Sequence, residues 1–98
     1  MTDAPWYCYL ARCGDGSLYV GVTTNLQRRM AEHNAGRGAK YTRSRRPVTL
    51  VWWERWATPS EALKREAEIR AWRKSRKEGF ITNQIRLTLG LASGPPQE

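Results

Sequence analysis

The sequence predicts a small α+β domain, with a three-stranded antiparallel sheet flanked by two to three helices in the order β-β-α-β-α-α. Three observations carry this expectation. Two alternating runs, "WYCYLAR" and "SLYVGV", flank a Gly-Asp-Gly turn, and a third run, "VTLVWWERW", is rich in β-branched and aromatic residues. Helical spacing and helix-capping signals occupy the segments between and after them. A chain of 98 residues is enough for one domain with one modest core.

In residues 6–12 the alternation turns Trp6, Cys8 and Leu10 one way and Tyr7, Tyr9 and Ala11 the other. Gly14, Asp15 and Gly16 then mark a β-hairpin, whose second strand covers 17–22 with Leu18 and Val20 on one face and Tyr19 and Gly21 on the other. Thr24 or Asn25 can cap a helix running to His33, which the glycines of "NAGRG" end. The segment "AKYTRSRRP" reads as too polar for a core element. Residues 48–56 form the third strand. Its alternation cannot bury Trp52, Trp53 and Trp56 together, so two are expected to pack and one to be partly exposed. Thr58 as cap, Pro59 at the first helical position and Glu61 closing a capping box start a helix over 59–73. Ser75 and Glu78 suggest a second capping box for a helix over 76–84. One domain over 1–85 and a flexible tail over 86–98 are expected.

Seventeen Lys and Arg oppose nine Asp and Glu, a net charge of +8, and fourteen of the seventeen lie between Arg28 and Arg46 or between Lys64 and Lys77. Clustered cations point to a polyanion, and nucleic acid fits best. A membrane surface fits poorly because neither basic helix has a bulky apolar face. There is no run of 18 apolar residues and no signal-peptide pattern at the start, so a cytoplasmic protein is expected. Cys8 and Cys13 have neither disulfide-framework nor metal-site spacing; Cys8 reads as core and Cys13 as a loop-edge thiol.

Two helices turn ionisable groups inward. In the first, positions i, i+3, i+4 and i+7 are Leu26, Arg29, Met30 and His33, while Arg28 and Glu32 fall off this stripe. A guanidinium directed inward must meet an anion, from the protein or from a ligand. In the second, Ala62, Leu63 and Ile69 define an apolar arc that also contains Glu66, with Glu61 and Glu68 on the far side. An Arg, a His, one carboxylate and hairpin tyrosines would make a polar cleft floored by the sheet and walled by two helices, suited to phosphodiester chemistry. An internal Arg29–Glu66 ion pair is the alternative that needs no substrate. In "GRGAKYTRSRRP", Arg37, Lys40, Arg43, Arg45 and Arg46 are candidate phosphate contacts. Tyr41 is a candidate to stack on a base, a contact worth about 1–3 kcal/mol.

"YCYL", then "YVG" ten residues later, an Arg ten beyond that tyrosine and a His four further resemble the GIY-YIG nuclease superfamily. "GAKYTRSRRPV" followed by "EALKREAEI" resembles its small single-domain bacterial branch. The resemblance implies that Tyr9 is the first-motif tyrosine and that Tyr19, Val20 and Gly21 are the second motif. It further implies that Arg29 is the catalytic arginine, His33 the helical histidine, Glu66 the metal-binding glutamate and Asn83 the late asparagine that shapes the site. Tyr7-Cys8-Tyr9 lacks the first motif's glycine and isoleucine, and Val22 stands where some family nucleases have a lysine. The implied cofactor is one Mg2+ or Mn2+ on Glu66, polarising the scissile phosphate. Tyr19 would deprotonate or orient the attacking water, Arg29 would neutralise transition-state charge, His33 would relay a proton or hold Tyr9, and Tyr9 would orient. A two-metal scheme is rejected because most other acids lie in turns, tails or outer helix faces. The expected function is a metal-dependent endonuclease acting on DNA, favouring single-stranded or irregular forms, with RNA open as a substrate and no membrane or small-molecule cofactor. A nucleic-acid-binding module with weak or lost catalysis is the alternative, and a purely structural protein is the third reading.

Overall fold

In the computed structural model, which describes residues 4–90, the Gly-Asp-Gly turn closes a hairpin between β1 (Trp6–Arg12) and β2 (Leu18–Thr23). Gly16 takes a φ of 86°, and Asp15 Oδ1 accepts hydrogen bonds from the Ser17 N–H and hydroxyl. Each residue type is at the turn position its chemistry suits. The chain continues through α1 (Leu26–Asn34), the single helical turn α2 (Lys40–Arg43), β3 (Thr49–Trp56), α3 (Pro59–Arg70) and α4 (Lys74–Thr88). The expected order stands, with α2 added. The sheet order is β2-β1-β3 and both pairings are antiparallel. Tyr9 lies opposite Gly21 on one side and Trp53 on the other.

The central strand β1 is buried on both faces. Cys8 and Leu10 pack with Val20, Trp52, Ile69 and Ile81 on the side of α3 and α4. Tyr9 and Ala11 pack with Cys13, Val48, Leu26 and Met30 on the side of α1. The two helices that carry inward-facing charge therefore cover opposite faces of the sheet. They do not wall one cleft over a sheet floor.

Local signals hold where their partners are local. The Thr58–Glu61 capping box forms at the start of α3, and Asn25 caps α1 by accepting from the Arg28 N–H. Trp52 is buried, Trp56 half-buried and Trp53 is 43% exposed. Four expectations yield to tertiary structure. Leu63 is exposed because the inward-facing row of α3 runs Ala62, Glu66, Ile69, at i, i+4 and i+7, with Ala62 and Ile69 buried and Glu66 partly so. α3 stops at Arg70, where the Trp72 N–H turns back to the Ile69 carbonyl. The Ser75–Glu78 box does not form: α4 begins at Lys74 without a side-chain cap, and both Glu78 oxygens bind Arg12 at 2.8 and 2.6 Å. Cys13 is buried rather than at a loop edge, since the 45–48 segment covers it and the Gly14 N–H donates to the Arg45 carbonyl. Helix α4 includes residues 86–88 of the expected tail, and residues 91–98 lie outside the described residues.

Candidate functional site

The helical stripe of α1 delivers His33 to the sheet face that carries Tyr9. The Tyr9 hydroxyl lies 2.8 Å from His33 Nε2, and His33 Nδ1 lies 2.8 Å from Thr42 Oγ1. Thr42 in turn donates to the Ala39 carbonyl at 2.9 Å. All three side chains are fully buried. Burial, reinforced by the nearby Arg29 charge, lowers the His33 pKa. Burial pushes the Tyr9 phenol well above its ordinary value, with the Arg29 guanidinium beside it pulling the other way. Two glycines make the space. A Cβ on Gly21 would lie 2.5 Å from the Tyr9 oxygen, and one on Gly38 would lie 2.3 Å from His33 Nδ1.

Tyr19, on β2, completes the ring cluster. Its ring centroid is 6.3 Å from Tyr9 and 5.4 Å from His33. Unlike Tyr9 it is only half-buried, and among the described residues its hydroxyl has no hydrogen-bond partner. Tyr19, Leu18 and Val20 of β2 line a cavity of about 390 Å³ with Tyr41, Arg70 and Lys77. This opening lies along the β2 edge, where elements from both faces of the sheet meet.

Arg29 and Glu66 are both turned toward the sheet, but they do not pair with each other. Arg29, with its side chain 28% exposed, donates to Glu32 at 3.0 Å. Glu32 is off the apolar stripe, yet the long guanidinium reaches it one turn away. Glu66 is 15% exposed and pairs with Arg70 at 3.2 Å, whose side chain is 62% exposed. Its carboxylate is close enough to contribute to raising the pKa of Tyr9 on one face and Cys8 on the other. Burial is the main cause for Cys8, followed by Glu54, and the thiol is pushed up to about 12. Such a thiol stays protonated and unreactive. Tyr9, Tyr19, Arg29 and His33 thus gather on one face, and Glu66 approaches from the other within electrostatic reach.

The basic loop surrounds this cluster only in part as expected. Arg37, Lys40, Arg43 and Arg46 are exposed. Arg45 is half-buried, donating to the Tyr41 carbonyl at 2.8 Å and to Asp15 at 3.2 Å. Arg46 donates to the Arg43 carbonyl at 3.0 Å. The Tyr41 ring is already engaged, stacked on Tyr19 at 6.0 Å and with Arg45 Cζ 3.9 Å from its centroid. Asn83 is not brought to the cluster. It is exposed on α4 beside Gln84, whose amide binds the N–H and carbonyl of Trp53 on β3, the strand at the opposite edge from β2. The expected polar loop contains α2 and the buried Thr42, which sequence patterning misses. Gly38, where any Cβ would meet the His33 ring, is the one residue of the segment whose type signals this close approach.

Among the described residues no three His, Cys, Asp or Glu side chains gather as a metal-binding group. That donor set does not suit a closed structural zinc site. A hard divalent cation that keeps most of its waters needs no such group, and Glu66 is the carboxylate here that would hold one.

Comparison with known proteins gives the family and the fold. The family model for the GIY-YIG catalytic domain matches residues 5–79. A UPF0213 protein of Staphylococcus haemolyticus is 51% identical over 78 residues, spanning 80% of this chain and 95% of its own. A UPF0213 protein of Natronomonas pharaonis is 48% identical over 81 residues, spanning 83% of this chain and 95% of its own. The solution NMR structure of a protein from E. faecalis superposes with a TM-score of 0.56 at 40% identity, over 84% of this chain and 88% of that one. A UPF0213 protein from Bacillus halodurans, also solved by NMR, gives a TM-score of 0.51 at 38% identity, over 80% and 83% of the two chains.

Proposed function

This chain belongs to the GIY-YIG family, a superfamily of endonucleases, and from that premise we propose that it hydrolyses DNA phosphodiesters in a divalent-metal-dependent reaction. The observation that carries the reading is the gathering of Arg29, Tyr9 and Tyr19 on one face, with the Glu66 carboxylate close enough to act on Tyr9 and with Tyr19 lining the cavity at the β2 edge. Glu66 would hold one Mg2+ or Mn2+, which when bound polarises the scissile phosphate and stabilises the leaving oxygen. Tyr19, which lines the cavity and whose hydroxyl has no hydrogen-bond partner among the described residues, orients or deprotonates the attacking water. Arg29 places a fork-shaped cation against the charge that develops on the phosphate, which must first draw it from Glu32. Tyr9, buried and bonded to His33, orients rather than reacts.

The exposed cations Arg37, Lys40, Arg43 and Arg46 hold the flanking backbone. Single-stranded or irregular DNA suits this site, because a base entering beside Tyr19 and Tyr41 must be out of its helix. We place the protein in the cytoplasm, in keeping with its two free thiols; among the described residues no helix is long and apolar enough to cross a membrane. The engagement of Arg29 by Glu32 favours one other reading, a nucleic-acid-binding module with weak catalysis.

A panel of single-stranded, duplex and branched DNA and of RNA, each with and without Mg2+, separates the two. Cleavage that Glu66→Ala and Arg29→Ala both remove is the expected result. Cleavage that survives both substitutions overturns the assignment, and binding without cleavage of any substrate favours the module.

A further inference from the structure

We propose that Thr42 is a positioning residue: its hydroxyl fixes the tautomer of His33 and, through the ring, the direction of the Tyr9 hydroxyl. The proposal rests on the functional reading above only for its effect on cleavage. The geometry stands by itself. Tyr9, His33 and Thr42 are fully buried in one continuous chain of hydrogen bonds ending at the Ala39 carbonyl. No water is needed to complete it.

The protons in this chain have one consistent direction. A threonine hydroxyl has a single proton, and a carbonyl can only accept. With that proton on the Ala39 carbonyl, Thr42 Oγ1 accepts from His33, so Nδ1 carries the ring proton. Nε2 is then bare and accepts from the Tyr9 hydroxyl. The reverse direction would put the ring proton on Nε2, pointing at the Tyr9 oxygen. The phenol proton would then have no acceptor, since among the described residues the other group bonded at the Tyr9 oxygen is the Arg29 guanidinium, which only donates. A buried donor left unpaired is costly. The chain of protons therefore runs Tyr9 to His33 to Thr42 to Ala39 and stops on the backbone.

Two consequences follow for the site. A chain that ends on a backbone carbonyl offers no outlet to solvent, so His33 holds Tyr9 and does not shuttle a proton. The Tyr9 oxygen keeps its lone pairs for the neighbouring guanidinium of Arg29. Thr42 also sits in α2, between Tyr41 and Arg43, which are exposed and candidates for nucleic-acid contact. The basic loop and the phenol of β1 are thus joined through one hydroxyl. Gly38 lets the loop come this close, since any Cβ there would collide with the His33 ring.

His33 is the only histidine in the chain, so its ring nitrogens give unambiguous NMR signals. The test is the 15N spectrum of the neutral ring in the wild type, Thr42→Ser and Thr42→Val, with DNA cleavage measured alongside. The expected result is a proton on Nδ1 in the wild type and in Thr42→Ser, and its loss from Nδ1 in Thr42→Val. In the same series kcat should fall about tenfold for Thr42→Val with KM little changed, and recover in Thr42→Ser. A wild-type proton on Nε2 overturns the proposal without reference to any variant, so a Thr42→Val chain that fails to fold does not shelter it. A Thr42→Val ring that keeps its proton on Nδ1, or a changed ring with unchanged kcat, overturns it as well. If the wild type cleaves nothing, the enzymatic reading fails, while the ring spectra still decide whether Thr42 sets the tautomer.

Discussion

Replacing Gly38 by alanine should damage the protein well beyond what one methyl group suggests. Gly38 does not have a positive φ, so alanine meets no backbone strain there, and the effect is steric alone. The new Cβ would lie 2.3 Å from His33 Nδ1, 2.8 Å from its Cα and 2.9 Å from its Cγ. Ordinary contact begins near 3.4 Å, so relief requires a shift of about 1 Å. The ring cannot yield easily, because it is fully buried and hydrogen-bonded at both nitrogens. The loop must move instead, and Thr42 with it. Overpacking of this kind costs about 1–3 kcal/mol. At roughly 4–8 °C per kcal/mol for a domain this size, Tm should fall by about 4–24 °C. Thermal unfolding followed by circular dichroism measures it. A Tm within about 2 °C of the wild type would refute the close packing of the loop on His33, since it falls below the smallest expected shift.

Three further outcomes are expected. Arg29→Lys keeps a charge but loses the planar fork, so nucleic-acid affinity should hold while single-turnover cleavage falls roughly 10²–10³-fold. Burial and then the Arg29 charge depress the His33 pKa, so the folded state releases the ring proton more readily than the unfolded chain. Its stabilising contribution is complete above the ordinary value of about 6.5 and is lost as pH falls through the depressed folded value, a slope that Tm against pH should show and His33→Gln should flatten. Replacing Arg37 and Arg43 together by glutamine should weaken binding similarly across DNA sequences and reduce the slope of log K against log salt by about 1.4–1.8, as two lost phosphate contacts require.

What could be read from the sequence, and what could not, divides by the reach of each interaction. Periodicity alone put Arg29 and His33 on the buried stripe of α1, separated Arg28 from Arg29, and selected Glu66 among the acids of α3. The Thr58–Glu61 box and the hairpin turn are closed by residues a few positions apart, so local chemistry sufficed. Glu78 was lost to Arg12, 66 residues away, a partner no local pattern reveals. Thr42 was hidden because its segment is polar, and only contact with a histidine on another element buries it. Arg29 found its anion in Glu32, off the wheel's apolar face, because a long side chain is not confined to the direction of its Cβ. The pattern also could not tell that α1 and α3 cover opposite faces, which moved the opening from the sheet surface to the β2 edge.

The most direct measurement is a Mg2+ titration of DNA cleavage by the wild type and by Glu66→Gln, with DNA binding measured in parallel. Cleavage by the wild type should rise with Mg2+ and disappear on chelation, while Glu66→Gln should bind DNA and fail to cleave at any Mg2+ level. Cleavage that persists in chelator, or a Glu66→Gln protein that responds to Mg2+ as the wild type does, would contradict the role assigned to this carboxylate.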